Sequence, residues 1–139
     1  QYTTAALASE NKGLCFPSSA DSIPTSLGQE DHVSMGSIGG RKALQVIGNV
    51  EKILAIELLT AAQAFEFRKP LKSGIYLEEV HNAVRERVAF ASKDRVFADD
   101  IEKGIAMIKD RTILNIIDCV QAEHNISLKT KHSEEFENY

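Results

Sequence analysis

The chain has 139 residues, 43% of them hydrophobic and 26% charged, enough for one ordinary domain with a real core and too ordered a composition for a disordered tail. A net charge of -4 and a pI near 5.6 leave no overall basic surface for a nucleic-acid backbone or an anionic membrane, so a small-molecule or protein partner fits better. No basic, apolar leader is visible, and the most apolar stretch, residues 53–67, contains Glu57, Gln63 and Glu66, which argues against a membrane span.

The start at Gln1, without an initiator Met and running straight into helix-forming residues, reads as a boundary inside a longer protein. Residues 1–12 combine Ala5, Ala6, Leu7 and Ala8 with Glu10 and Lys12, and Gly13 stands where a helix would stop. Residues 14–28 carry Pro17, Pro24, Gly28 and the serines Ser18, Ser19, Ser22 and Ser26. This reads as a loop long enough to be suspected of function. Cys15 and Cys119 have neither CxxC spacing nor the density of a secreted disulfide scaffold, so both read as free thiols of a reducing, cytoplasmic setting.

A second helix is expected to begin near Asp31 or Ser34 and to run without a strong breaker to Pro70, with Arg68 and Lys69 at its negative end. Gly36, Gly39, Gly40 and Gly48 weaken its first half by up to about 1 kcal/mol each, which predicts a kink or a close helix–helix approach. Residues 50–67 are apolar on nearly every side, the pattern of a helix buried all round. A continuous helix of this length would extend about 50 Å at 1.5 Å per residue, whereas a domain of this size is only about 35 Å across. Such a helix wants partners outside the chain.

After Pro70, Ser73 can cap a third helix in which Leu77, Val80, Val84 and Val88 recur at three- and four-residue steps opposite Glu78, Glu79, Arg85 and Glu86. A short connection at residues 93–98 leads to a fourth helix with Asp99 and Asp100 in its first turn and Ile101, Ile105 and Ile108 on one side. A last short helix is expected over 112–122. No period-two run argues a sheet, so the class is all-α. Residues 1–122 form the helical segment and 123–139 a polar, loosely ordered tail.

Functional side chains are densest where the long loop meets the long helix, at Gln29, Glu30, Asp31, His32 and Ser34. A carboxylate, an imidazole and an amide at a helix N-terminus lie among unpaired backbone N–H groups, a place suited to binding and proton handling. From residue types alone, Asp31 could equally be the helix cap, with Glu30 and His32 solvated and Gln29 a loop residue. An Asp–His pair lacks the further ligands of a metal site, and none is predicted. His81, His124 and His132 are scattered and read as surface residues.

The run Asp21, Ser22, Ile23, Pro24, Thr25, Ser26, followed by Gln29, Glu30, Asp31, His32, Val33, Ser34, Met35, Gly36, resembles the signature of the histidine ammonia-lyases within the aromatic amino acid lyase family. The resemblance continues upstream from Gln1 to Lys12 and downstream through residues 54–58 and 68–72 to Asp94, Arg95, Val96, Phe97 and residues 100–103, covering most of the chain before it fades in the tail. It implies the C-terminal part of a long-helix bundle that assembles as a homotetramer through residues 50–67, and a reaction that eliminates ammonia from L-histidine to give urocanate in histidine catabolism. The family is known to use an electrophilic methylidene-imidazolone made from its own Ala-Ser-Gly. These residues contain no Ala-Ser-Gly, so the chain alone is expected to be inactive.

By position in the motif, Glu30 matches the family glutamate that faces the substrate imidazole and assists binding or acid/base chemistry. A carboxylate suits an imidazole N–H because a charge-assisted hydrogen bond is about twice as strong as a neutral one. Relatives acting on phenylalanine or tyrosine tend to have glutamine there. Gln29 is the second expected substrate-binding residue, while Asp31 and His32 are expected to be structural, as cap and as an internal hydrogen-bonding group. One departure stands out: Cys15, Phe16, Pro17 occupy the place where related enzymes commonly have Ala-His-Pro. It leaves open a lyase acting on another amino acid, beside a second alternative, a non-catalytic helical assembly module derived from a lyase.

Overall fold

The computed structural model describes residues 1–20, 26–29 and 35–126. Its elements are α1 (Tyr2–Leu14), a 3-10 turn (Ser26–Gly28), α2 (Gly36–Glu66), α3 (Ile75–Arg87), α4 (Ala98–Lys109) and α5 (Thr112–His124). Among the described residues there is no strand, and no helix is long and apolar enough to cross a membrane. The expected all-α class is what the chain adopts. It divides into two compact units, Gln1–Leu58 and Leu59–Tyr139.

In the first unit, α1 buries none of its residues and is tied to α2 by polar contacts. Asn49, only 7% exposed, donates through Nδ2 to Glu10 Oε2 at 2.8 Å and to Asn11 Oδ1 at 2.9 Å. A buried amide of this kind costs stability unless it is paired, so these bonds decide whether α1 docks. Ala55 is completely buried, but Leu44, Ile47, Val50 and Leu54 stay 41–70% exposed. Within this chain only one side of α2 is covered, which leaves the rest of its apolar surface for the partners outside the chain that the sequence pattern asks for.

The expected start of α2 near Asp31 or Ser34 is also revised. Its first residue is Gly36, and the Met35 carbonyl accepts from Ile38 N–H at 3.1 Å and Gly39 N–H at 3.0 Å. Asp31 falls four positions before that cap. The helix passes its glycines uninterrupted for 31 residues, about 47 Å at 1.5 Å per residue. No close approach exploits them in this chain, because a Cβ at Gly40 or Gly48 would meet nothing within 4 Å and at Gly39 only Ser18 Oγ at 3.9 Å.

The second unit has the apolar core. α3 and α4 each pack on α5, and Val84, Val88, Ile105, Met107 and Val120 are buried, Val84 and Met107 completely. The predicted apolar sides of α3 and α4 account for three of these; Leu77 is turned out, 58% exposed. Gly74 rather than Ser73 caps α3, its extended backbone placing its carbonyl to accept from Leu77 and Glu78 N–H, while Ser73 N–H donates to Glu78 Oε1 at 2.7 Å. α5 runs two residues past its expected end and stops at Asn125 in the left-handed conformation.

Polar clamps fix the connections of this unit. Gln63 Nε2 donates to Ala91 O at 2.9 Å and Ala91 N–H returns a bond to Gln63 Oε1 at 3.2 Å. Asp100, expected only to complement the helix dipole, is buried and receives Arg95 Nε at 2.9 Å, while Arg95 Nη2 also donates to Ala89 O at 2.8 Å. Arg87 bridges Asp110 Oδ2 and Thr112 Oγ1, joining the end of α3 to the start of α5.

Candidate active-site segment

The approach to residues 29–36 is a tight left-handed turn. Ser26, Leu27 and Gly28 have φ of 53°, 56° and 80°, and Ser26 O accepts Gln29 N–H at 3.0 Å. Only Gly28 escapes the Cβ penalty; the other two hold a conformation that costs on the order of 1–3 kcal/mol each and that clusters at functional sites. The turn delivers Gln29 at an exposed position. The expected site residue Glu30, together with Asp31, His32 and Ser34, lies outside the described residues.

Where the chain is described again, Met35 and Gly36 border an open apolar concavity of about 740 Å³, whose wall includes Leu14, Phe16, Lys42 and Val46. It belongs wholly to the first unit. Lys42 crosses from α2 to the segment after α1: its Nζ donates to Phe16 O at 2.8 Å and lies 5.8 Å from the Phe16 ring centroid. Because the tie is made to the backbone, phenylalanine in place of the family histidine leaves it intact and adds a cation–π contact worth about 0.5–1 kcal/mol. Phe16 itself is 62% exposed and lines the concavity, so the departure alters that lining. The concavity can hold an apolar or aromatic group.

Cys15 and Cys119 are both free and exposed. Among the described residues no three His, Cys, Asp or Glu side chains are placed to hold a metal ion. His124 is exposed, as expected, but His81 is not: it is 7% exposed, its ring 4.8 Å from that of Phe65 and its Nε2 3.1 Å from Glu66 Oε1. The same oxygen receives Arg85 Nε at 3.1 Å and Oε2 receives Lys69 Nζ at 2.6 Å. The hydrogen bond from Lys69 and the surrounding cations hold the Glu66 carboxyl below its ordinary value. Asp110 is lowered likewise, first by the Thr112 hydroxyl and then by Arg87. The expectation of a surface His81 fails because Glu66 and Phe65, its partners, are fifteen and sixteen positions away, a distance helix periodicity does not see. Asn49 carries a weak sequence signal as an amide flanked by Val46, Ile47 and Val50.

The sequence pattern described as aromatic amino acid lyase matches residues 1–86. A histidine ammonia-lyase of Natranaerobius thermophilus is 56% identical over 102 residues, covering 73% of this chain and 20% of that enzyme. The crystal structure of histidine ammonia-lyase from Trypanosoma cruzi superposes with a TM-score of 0.80 at 44% identity, over 84% of this chain and 23% of that one. A tyrosine aminomutase from Streptomyces globisporus gives 0.81 at 35% identity, over 92% and 24%. The chain thus spans about a fifth of the length of the relatives it matches.

Proposed function

Because the chain belongs to the aromatic amino acid lyase family, we propose that it is part of a histidine ammonia-lyase, which removes ammonia from L-histidine to give urocanate in histidine catabolism. The observation that carries this reading is the 56% identity to a histidine ammonia-lyase in a chain that has Glu30 in the motif of residues 29–36. Glu30 is the substrate-side carboxylate, accepting a charge-assisted hydrogen bond from the imidazole N–H. Gln29, delivered by the left-handed turn, is the second substrate-binding residue. Lys42, which ties α2 to the Phe16 carbonyl, and Asn49, which ties α2 to α1, act as positioning residues.

The family's methylidene-imidazolone supplies the electrophile that makes the amino group a better leaving group. No Ala-Ser-Gly occurs in these 139 residues, so the group belongs to the remainder of the enzyme and this chain alone turns over no histidine. The exposed Leu44, Ile47, Val50 and Leu54 favour an enzyme completed by further protein surface, read here as a homotetramer of the cytoplasm built through residues 50–67. Similarity to a tyrosine aminomutase, together with Phe16, favours as second reading an enzyme acting on another aromatic amino acid. Assay of the whole enzyme against histidine, phenylalanine and tyrosine separates the two. Urocanate from histidine alone supports the first; turnover of phenylalanine or tyrosine with histidine inert overturns it.

A further inference from the structure

The concavity of the first unit, about 740 Å³, falls within the size range of small-molecule sites, roughly 300–1,000 Å³. Its walls come from two stretches that the fold brings together. Leu14 ends α1 and Phe16 follows it, while Gly39, Lys42 and Val46 recur at three- and four-residue steps along one side of α2, with Met35 just before the helix. Gly39 projects no side chain into this space, and a Cβ there would meet only Ser18 Oγ, at 3.9 Å. The walls are mainly apolar, and the gap between them takes a planar ring.

Among the described residues Lys42 is the one charged side chain of this lining, and no carboxylate pairs with it. It is half-buried, and its ammonium has three donors, of which the bond to Phe16 O at 2.8 Å uses one. A half-buried cation beside apolar walls is complemented by a single negative charge carried on an apolar body. An α-ammonium group would find no carboxylate among the lining residues, which sets a zwitterionic amino acid at a disadvantage. We propose that this concavity binds an aromatic monocarboxylate, with its ring against Leu14, Phe16 and Val46 and its carboxylate on Lys42 Nζ. An aromatic amino acid becomes such an acid when its ammonium is eliminated, so the site favours the product of that reaction over its substrate. This last step rests on the proposed function, whereas the binding does not.

Cys15 lines the same concavity and reports its occupancy, and Cys119, exposed in the other unit, is the internal control. The 139-residue chain is treated with iodoacetamide while 3-phenylpropionate is titrated in, and alkylation at each cysteine is followed by mass spectrometry. A concentration about ten times its Kd is expected to slow modification of Cys15 roughly tenfold and to leave Cys119 unchanged. Half-protection should need roughly tenfold more 3-phenylpropionamide, which lacks the charge, or phenylalanine, which adds an ammonium. Lys42→Met should erase the preference for the acid over the amide, Lys42→Arg should keep it, and Gly39→Leu, which fills the space from α2, should remove protection by all three. Cys15 rates indifferent to 3-phenylpropionate overturn the proposal, and so does equal protection of the wild-type chain by the acid and its amide. Turnover is not read, so either failure leaves the proposed reaction standing.

Discussion

The two units solve the same problem differently. Residues 59–126 bury Val84, Val88, Ile105, Met107 and Val120 and carry their own apolar core, while residues 1–58 bury only Asn49 and Ala55 among those described. Burial of a large aliphatic side chain contributes about 1.5–3 kcal/mol, so the second unit has the means to hold itself together. The first relies on an amide bridge and a lysine tie and leaves an apolar side of α2 open. The unit that carries the motif of residues 29–36 is thus the one least complete by itself. A site assembled from several chain segments needs a surface of that kind, and a self-contained core would work against it.

The largest effect that separates the units is expected at Met107. Met107→Ala removes a fully buried side chain and should cost about 2–5 kcal/mol in chemical denaturation; a loss within experimental error would mean the second unit has no cooperative core. Asn49→Ala should cost about 1–3 kcal/mol, read as faster amide exchange in α1 with α3 to α5 unaffected. If α1 exchanges as slowly as before, something other than the amide bridge docks it.

Acid should act on the second unit through Glu66. Its folded-state carboxyl is held below the ordinary value by Lys69, then by His81 and Arg85. A group lowered in the folded state contributes stability above its unfolded value, lost as pH falls through the folded one. Stability should therefore decline below about pH 4.3, the ordinary glutamate range, and Glu66→Gln should flatten that decline; an unaltered acid profile in the variant would remove Glu66 from the account. The smallest effect on stability is expected on the open side of α2. Leu54→Ser should change it by no more than about 0.5 kcal/mol while weakening self-association in sedimentation, and a strictly monomeric wild-type chain would contradict that use of the surface.

Element existence was legible because helix signals are local. Alanine-rich residues at the start, Pro70 as a stop and the valine and isoleucine spacing of α3 and α4 each act within a few turns. Boundaries were less so: α2 begins at Gly36 because Met35 supplies the first-turn acceptor, and Gly74 displaces Ser73 at the cap. Burial of His81, Asn49 and Asp100 depends on partners brought in by tertiary packing, and residue type alone points such side chains to the surface. For the candidate site, the motif and Phe16 could be read from the chain, whereas the Lys42 tie and the left-handed turn before Gln29 could not. Lys42 meets Phe16 across 26 positions, and Ser26 and Leu27 are not residues that announce a positive φ.

The most direct test of the central claim is made at Glu30 in the whole enzyme. On the proposed reading, Glu30→Gln preserves the size of the side chain and removes the carboxylate charge assigned to the substrate imidazole. The account predicts a fall in kcat/KM for histidine of roughly a hundredfold or more, about 2.7 kcal/mol of transition-state stabilisation, with the assembly's mass and melting behaviour unchanged. Unchanged kinetics on histidine would contradict it.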